Sequence, residues 1–358
     1  VSKWYEECTR NHLECNNLIA MDWQPTRLLD VQHSETSVRL WLRDDGVASS
    51  YMTLSHCWGG TLPLKLINSR IAEFRTGIEI QQLPRTFIEA VHVVRKLGAR
   101  FLWIDALCIV QDSEDDWRQE SQRMGKIYAN SLLNIAATAS RDGSGGLFRT
   151  RDPHVVEPCE FTRRWNDRKS EVTALCEKDL WIRDVEDAPL NRRSWVIQER
   201  FLAPRIIHFG ETQLFWECKH YEACETFPDG LPVPGRQFDP FKADLEIHNP
   251  VFDGRGSSES KEIYRRLETW RGILKRYTTC GLSYERDKLV AISGVARNLT
   301  SDADNDMYVA GLWRDDIVSD LLWSTVGHDE KDRSGYHMAQ SYRAPSWSWA
   351  SIDASISY

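Results

Sequence analysis

Phe101-Leu-Trp-Ile-Asp-Ala-Leu-Cys-Ile109 is the stretch that sets the fold class. An apolar run of this length, without polar alternation, reads as a strand buried on both faces, the habit of parallel sheets packed between helices. Asp105 interrupts it. A carboxylate placed there needs partners, so it either faces a ligand beyond the strand or caps a neighbouring loop. Upstream, Leu83-Pro84 opens a helix with Phe87, Ile88, Val91, Val94 and Leu97 on its apolar side and Gly98 as its stop. Further upstream, residues 37–42 and 51–55 read as strands divided by the turn Asp44-Asp45-Gly46. Downstream, Ser113 caps a helix carrying Trp117, Met124, Ile127 and Tyr128, and residues 131–139 form another buried strand. The order β-α-β-α-β predicts a parallel sheet with right-handed crossovers.

Two further segments carry candidate chemistry. The strand at 51–55 runs straight into His56-Cys57-Trp58-Gly59-Gly60. A buried strand ending in small, polar and glycine residues is where α/β sheets hold ligands, although two glycines also serve a tight turn. There is no G-x-G-x-x-G and no Walker loop, so ordinary dinucleotide and NTP folds are not supported. The second segment is Arg192-Arg-Ser-Trp-Val-Ile-Gln-Glu-Arg200, set between Pro189 and Pro204, which reads as a short helix over 191–202. Helical spacing aligns Trp195, Glu199 and Leu202, placing a carboxylate between an indole and an aliphatic side chain. Such a carboxylate is either a candidate for chemistry or one half of an ion pair with Arg193, Arg200 or Arg205.

At the start of the chain, residues 1–20 read as an amphipathic helix with Cys8, His12 and Cys15 on one face. All three are zinc-ligand types, and His56, Cys57, Cys218, His220 and Cys224 are the available fourth donors. The competing reading is plain packing, since free cysteine behaves as a small hydrophobe. Residues 150–190 look like antiparallel strands around an insertion, followed after the Trp195 helix by strands at 205–209 and 213–218. A long Pro-, Gly- and Asp-rich excursion covers 227–260. Helices are expected at 261–277, 285–297 and 313–326, and a half-buried strand at 345–351.

The bulk numbers narrow the function classes. Hydrophobic content of 41% and charged content of 27% over 358 residues describe a globular chain able to bury a large core. Fifteen tryptophans are expected to be mostly core residues. A net charge of −8 without a Lys/Arg run argues against a nucleic-acid or anionic-membrane surface. No apolar stretch approaches the ~18 residues of a membrane span. Nine cysteines, and a first segment Val-Ser-Lys-Trp without signal-peptide pattern, predict reduced thiols and a cytoplasmic location. The start lacks an initiator Met, so flanking sequence is expected.

Together, several segments resemble the fungal HET (heterokaryon incompatibility) domain. They are Tyr51-Met-Thr-Leu-Ser-His-Cys-Trp-Gly59, Leu83-Pro-Arg-Thr-Phe-Ile-Glu-Ala90 and Phe101 to Gln111. Met124 to Tyr128, Gly145-Gly-Leu147 and Arg193-Ser-Trp-Val-Ile-Gln-Glu-Arg200 with Pro204-Arg205 complete the set. Val110 departs from the pattern, standing where the family often carries Asp. The flanks around Trp4-Cys8-His12-Cys15 and Tyr342 to Ser351 look like segments that often accompany the domain. The resemblance implies a role in cell death when incompatible fungal individuals fuse, and a distant likeness to TIR domains. It therefore implies a TIR-like (flavodoxin-like) parallel α/β sheet flanked by helices, with an inserted β segment and an α+β C-terminal extension. The expected division is an N-terminal extension at 1–50, the core at 51–210 and the C-terminal extension at 211–358.

Plant-type TIR domains carry a Trp-Cys-x-x-Glu helix whose glutamate cleaves NAD, and Trp195-Val-Ile-Gln-Glu199 has the same separation. By that likeness Glu199 is the catalytic residue, with Trp195, Ser55, Trp58, Gly59, Asp105 and Gln111 around the NAD substrate. No cofactor is then required; zinc at Cys8, His12 and Cys15 stands apart from this chemistry. The implied partners are NAD or a related dinucleotide, with self-association or an upstream receptor domain. Two other functions fit parts of the sequence: a non-enzymatic signalling module acting by assembly, and a cysteine hydrolase built on Cys57 or Cys108 with His56 or His208. Neither cysteine sits in a recognisable nucleophile motif.

Overall fold

The computed structural model describes residues 1–16, 23–46, 50–60, 64–163, 171–175, 177–232, 258–300, 307–326, 337–339 and 341–358. They fall into two compact units that do not follow the chain consecutively. The first draws on Val1–Trp117, Ile127–Asn191 and 203–232, the second on Arg118–Lys126, Arg192–Leu202 and 258–358. The expected long excursion at 227–260 lies mostly outside the described residues.

The first unit is built on a nine-stranded sheet. Its chain begins with helices α1 (Ser2–Asn11) and α2 (Leu13–Asn16), then strands β1 (Arg27–Asp30), β2 (Ser37–Leu42) and β3 (Tyr51–Ser55). Next come α3 (Ile71–Thr76), β4 (Ile78–Glu79), α4 (Arg85–Lys96), β5 (Phe101–Trp103) and α5 (Asp105–Cys108). Helix α6 (Glu114–Ala129) lends its middle turns to the second unit and leads to β6 (Asn134–Ala136). The hairpin β7 (Cys159–Arg163) and β8 (Glu171–Leu175) precedes β9 (Arg205–Phe209), β10 (Leu214–Cys218) and β11 (Glu222–Cys224).

The sheet order is β11-β10-β9-β6-β3-β5-β1-β2-β4. Its centre, β9-β6-β3-β5, is parallel as expected, and antiparallel wings extend it on both sides. The β3-to-β5 and β5-to-β6 crossovers run in opposite directions, which with right-handed geometry puts α4 and α6 on opposite faces. The sheet is thus covered by helices on both sides. Strands β3, β5, β6 and β9 are buried at every position, as the strands of a sheet covered on both faces are, and β5 is apolar throughout.

Several expectations change in detail. The strand expected over 100–109 stops at Trp103, because the Asp105 carboxylate accepts the Ala106 N–H at 2.7 Å and starts the turn α5. The expected N-terminal helix breaks at His12, whose φ of −104° and ψ of 88° are not helical.

The second unit contains α7 (Ser194–Leu202), α8 (Ser258–Tyr277), α9 (Ser293–Asn298) and α10 (Ile317–Asp320). Three two-stranded ribbons join them: β12 (Tyr308–Val309) with β13 (Leu312–Trp313), β14 (Ser324–Thr325) with β17 (Ile356–Ser357), and β15 (His337–Met338) with β16 (Ile352–Asp353). Its core is tryptophan-rich. Trp270 and Trp349 both donate their indole N–H to the Gly311 carbonyl, at 3.0 and 2.9 Å. Gly311 has φ +98°, and a Cβ there would lie 2.6 Å from the Trp349 indole nitrogen. That anchoring turns 345–351 into a capped 3₁₀ turn at Trp349–Ser351 and not the expected strand. The helix expected over 313–326 is likewise divided among β13, α10 and β14.

Candidate functional site

Ser55, Trp58, Gly59, Asp105 and Gln111 belong to the first unit, at the C-terminal ends of β3 and β5. Asp105 organises this group. One carboxylate oxygen accepts the Trp58 indole N–H at 2.8 Å, and the other lies 3.6 Å from His56 Nδ1. His56 is buried, its ring standing edge-on to Phe87 at 4.8 Å, while Trp58 is half-buried. Gln111 donates its side-chain amide to the Asp105 and Ile109 carbonyls, at 3.1 and 3.0 Å, and so closes α5. Ser55 is buried, and its hydroxyl takes the Asn134 amide at 2.9 Å, tying β3 to β6.

Gly59 adopts φ +69°, a left-handed conformation that favours glycine. A Cβ there would fall 2.5 Å from the Asp142 Cβ, so the loop after β3 meets the loop after β6 without room for a side chain. Asp142 is itself held by Ser144: its Oδ1 accepts from the Ser144 hydroxyl at 2.6 Å and backbone N–H at 2.8 Å, which lowers its pKa. The β6 loop is also clamped by the start of α4. Thr86 Oγ1 accepts from Gly146 N at 3.1 Å, and Glu89 accepts the backbone N–H groups of Leu147 and Phe148. Burial pushes the Glu89 carboxyl up, but those donors and Arg85 outweigh it, so it titrates below its usual range.

Trp195 and Glu199 belong to the second unit, one helical turn apart on α7. Glu199 is 5% exposed and Trp195 half-buried. The Trp195 indole hydrogen-bonds Asp287, whose pKa burial nonetheless raises. Helix α7 is fixed against α9 by Gln198, which accepts the Gly294 N–H at 2.7 Å. That approach needs glycine: a Cβ on Gly294 would sit 2.4 Å from Gln198 Oε1.

A cleft of about 330 Å³ lies elsewhere on the first unit, lined by His92, Leu97, Phe148, Arg149, Arg151 and Phe209 among others. None of the site residues read from the sequence lines it. His208 is buried, with one ring nitrogen 3.0 Å from Thr138 Oγ1 and the other 2.9 Å from Glu217 Oε2. That arrangement locks the ring between β9 and β10 and leaves it no role as the base of a cysteine nucleophile.

The Cys8, His12 and Cys15 side chains do converge, and Cys218 at the end of β10 joins them. One ligand atom from each of the four lies within 4.8 Å of every other, and all four residues are buried. The thiols share their protons unequally. Hydrogen bonds with Cys218 and Cys8 hold Cys15 far below the ordinary thiol range, while bonds with Cys15 and Cys218, together with burial, push Cys8 up. Burial lowers the His12 pKa, favouring the neutral imidazole.

Residues 51–199 match the family described as Heterokaryon incompatibility protein (HET). That segment is similar to a HET domain. A HET domain implies a role in heterokaryon incompatibility and the cell death that goes with it. The matched segment starts at the first residue of β3 and ends at Glu199. No curated protein and no solved structure matches the chain. Among the described residues, no helix is long and apolar enough to cross a membrane.

His56, Asn134, Asp142 and Asp287 hold the candidate side chains in place. His56 stands inside the Ser-His-Cys-Trp-Gly segment, but its place beside Asp105 carries no sequence signal. The other three are positioned by sheet register and loop packing, which leave no local signature.

Proposed function

We propose that this chain triggers cell death by cleaving the nicotinamide–ribose bond of NAD, with Glu199 stabilising the transition state. One observation carries the reading: Glu199 is a buried carboxylate one helical turn from a half-buried tryptophan whose indole is pinned by Asp287. A charge that develops next to a buried carboxylate is felt through a medium that screens it weakly.

The parallel strands support the substrate class. Counting β3, β5, β6 and β9 as first to fourth, their order across the sheet is 2-1-3-4, the flavodoxin-like sequence to which TIR domains also belong. In such sheets the ligand lies beyond the carboxyl ends of the strands, where the order reverses, which here is between β3 and β6. Gly59 and Asp142 sit in the loops that leave those two strands. In this reading Trp195 walls or stacks on the nicotinamide beside Glu199, while Trp58, Gly59 and Asp105 form a rigid loop that Ser55 and Gln111 support through Asn134 and the α5 carbonyls.

The chemistry asks little more of the protein. Nicotinamide departs with the electron pair of the C1′–N bond, leaving an oxocarbenium-like ribose. Glu199 accepts ribose hydroxyl hydrogen bonds and stabilises that cation. Water then adds to C1′ and releases a proton, giving ADP-ribose. Preorganised charge of this kind lowers the barrier by about 3–4 kcal/mol.

The test is nicotinamide release from NAD by the purified chain, measured over a wide protein concentration range because assembly can gate activity. Wild type is expected to release nicotinamide, with Glu199→Gln and Glu199→Asp slowed by about 10²–10³-fold while melting like wild type. Silence at every concentration would overturn the enzymatic reading in favour of a module that acts by assembly alone.

A further inference from the structure

We infer that Cys8, His12, Cys15 and Cys218 form a structural zinc site that staples the N-terminal helices to the central sheet. The four residues come from α1, the break after it, α2 and the last residue of β10. Three thiols and an imidazole that merely filled space would have no reason to aim their sulfur and nitrogen atoms at a common point. Here those atoms lie within 4.8 Å of one another, with His12 Nδ1 3.6 Å from the Cys218 sulfur. Zinc–sulfur bonds of about 2.3 Å at tetrahedral angles bring ligand atoms about 3.8 Å apart, so a small contraction completes the sphere. The break at His12 has a purpose in this geometry. It lets the chain turn so that α2 returns Cys15 to the same centre as Cys8.

Charge supplies an independent argument. Arg205 is fully buried, and its guanidinium donates to Cys8 Sγ at 3.1 Å, to the Leu132 carbonyl at 3.3 Å and to Asn16 Oδ1. Among the described residues, none of its partners is a carboxylate. A buried guanidinium without a counter-charge is strongly unfavourable. Three thiolates and one divalent zinc carry a net charge of −1, and Arg205 brings the assembly to neutrality. The Lys219 backbone N–H adds a hydrogen bond to the Cys15 sulfur, as partners beyond the ligands of such sites commonly do.

The donor set selects the metal. Three soft thiolates with one imidazole in a tetrahedral arrangement suit zinc, and four protein ligands leave no open position for catalysis. The site is therefore structural. It lies at the end of the parallel strands opposite to Ser55, since Cys218 pairs with Arg205, the first residue of β9.

Metal analysis of the full chain, purified without chelator, tests this. One zinc per chain is expected, and cobalt exchanged into the same protein should show the intense visible bands of tetrahedral thiolate ligation. Cys8→Ser and Cys218→Ser are expected to lose the metal and Cys280→Ser to keep it. His12→Cys, which preserves four donors, should retain zinc where His12→Ala weakens binding at least about tenfold. Wild-type protein that holds no zinc and takes up no cobalt would overturn the site, as would a disulfide among Cys8, Cys15 and Cys218 found by mass spectrometry. Those wild-type measurements stand even where a variant fails to fold.

Discussion

The two ends of the parallel strands carry two clusters built on opposite principles. At the carboxyl end, Asp105 spends its oxygens on Trp58, Ala106 and the neighbourhood of His56, so its hydrogen bonds shape a loop and leave Trp58 half-open. At the amino end, Cys8, His12, Cys15 and Cys218 turn their donor atoms inward on one another, buried and closed. A site for a ligand that comes and goes keeps a rigid frame with an accessible side, whereas a site for a resident metal needs converging donors and a balanced charge. The same sheet carries both clusters, because strand register places one beyond β3 and the other where β10 meets the start of β9.

The sharpest way to break this comparison is to remove one inward-facing donor. Cys218→Ser, or chelation of the metal, is expected to lower stability by about 4 kcal/mol or more, since zinc binding is coupled directly to folding. Calorimetry should show the melting temperature of the wild-type chain falling on chelation, while Cys280→Ser behaves as wild type. A melt indifferent to chelator would erase the distinction between the two ends.

Next in size is the catalytic claim. Glu199→Gln should reduce nicotinamide release by about 10²–10³-fold with an unchanged melt, in keeping with the loss of one preorganised charge. Equal release by the variant would detach α7 from the chemistry. Gly59→Ala comes third. It must push the Asp142 side chain aside and hold alanine at positive φ, for an expected loss of about 1–3 kcal/mol in chemical denaturation. The smallest effect is expected from Trp58→Phe, which keeps the ring but deletes the 2.8 Å bond to Asp105, for about 1 kcal/mol. If the carboxyl-end loop is a ligand frame, that variant should weaken NAD binding more than it weakens the fold, and matched losses would make the loop purely structural.

Much of this architecture was legible residue by residue. The apolar runs of β3 and β5, the Leu83-Pro84 helix start and the Trp195–Glu199 spacing all express local periodicity, and each is found where the pattern puts it. The Leu83–Ala90 and Gly145–Leu147 motifs, separate in the sequence, meet in the fold, because Thr86 and Glu89 bind the backbone of the glycine loop. Less legible was where periodic elements stop. The apolar run after Trp103 continues in composition but not in conformation, since one carboxylate hydrogen bond is enough to turn it into α5.

By itself, then, the sequence determined the elements of the α/β centre, the burial of its strands and the presence of three zinc-type side chains at helical spacing, since all of these follow from short-range patterns. Only the tertiary structure decided that Cys218 is the fourth donor, that Arg205 lies against Cys8, and that Asp105 reaches Trp58. These pairings join residues far apart in the chain, and they depend on strand order and register, which arise from packing the whole sheet and not from any local run of side chains.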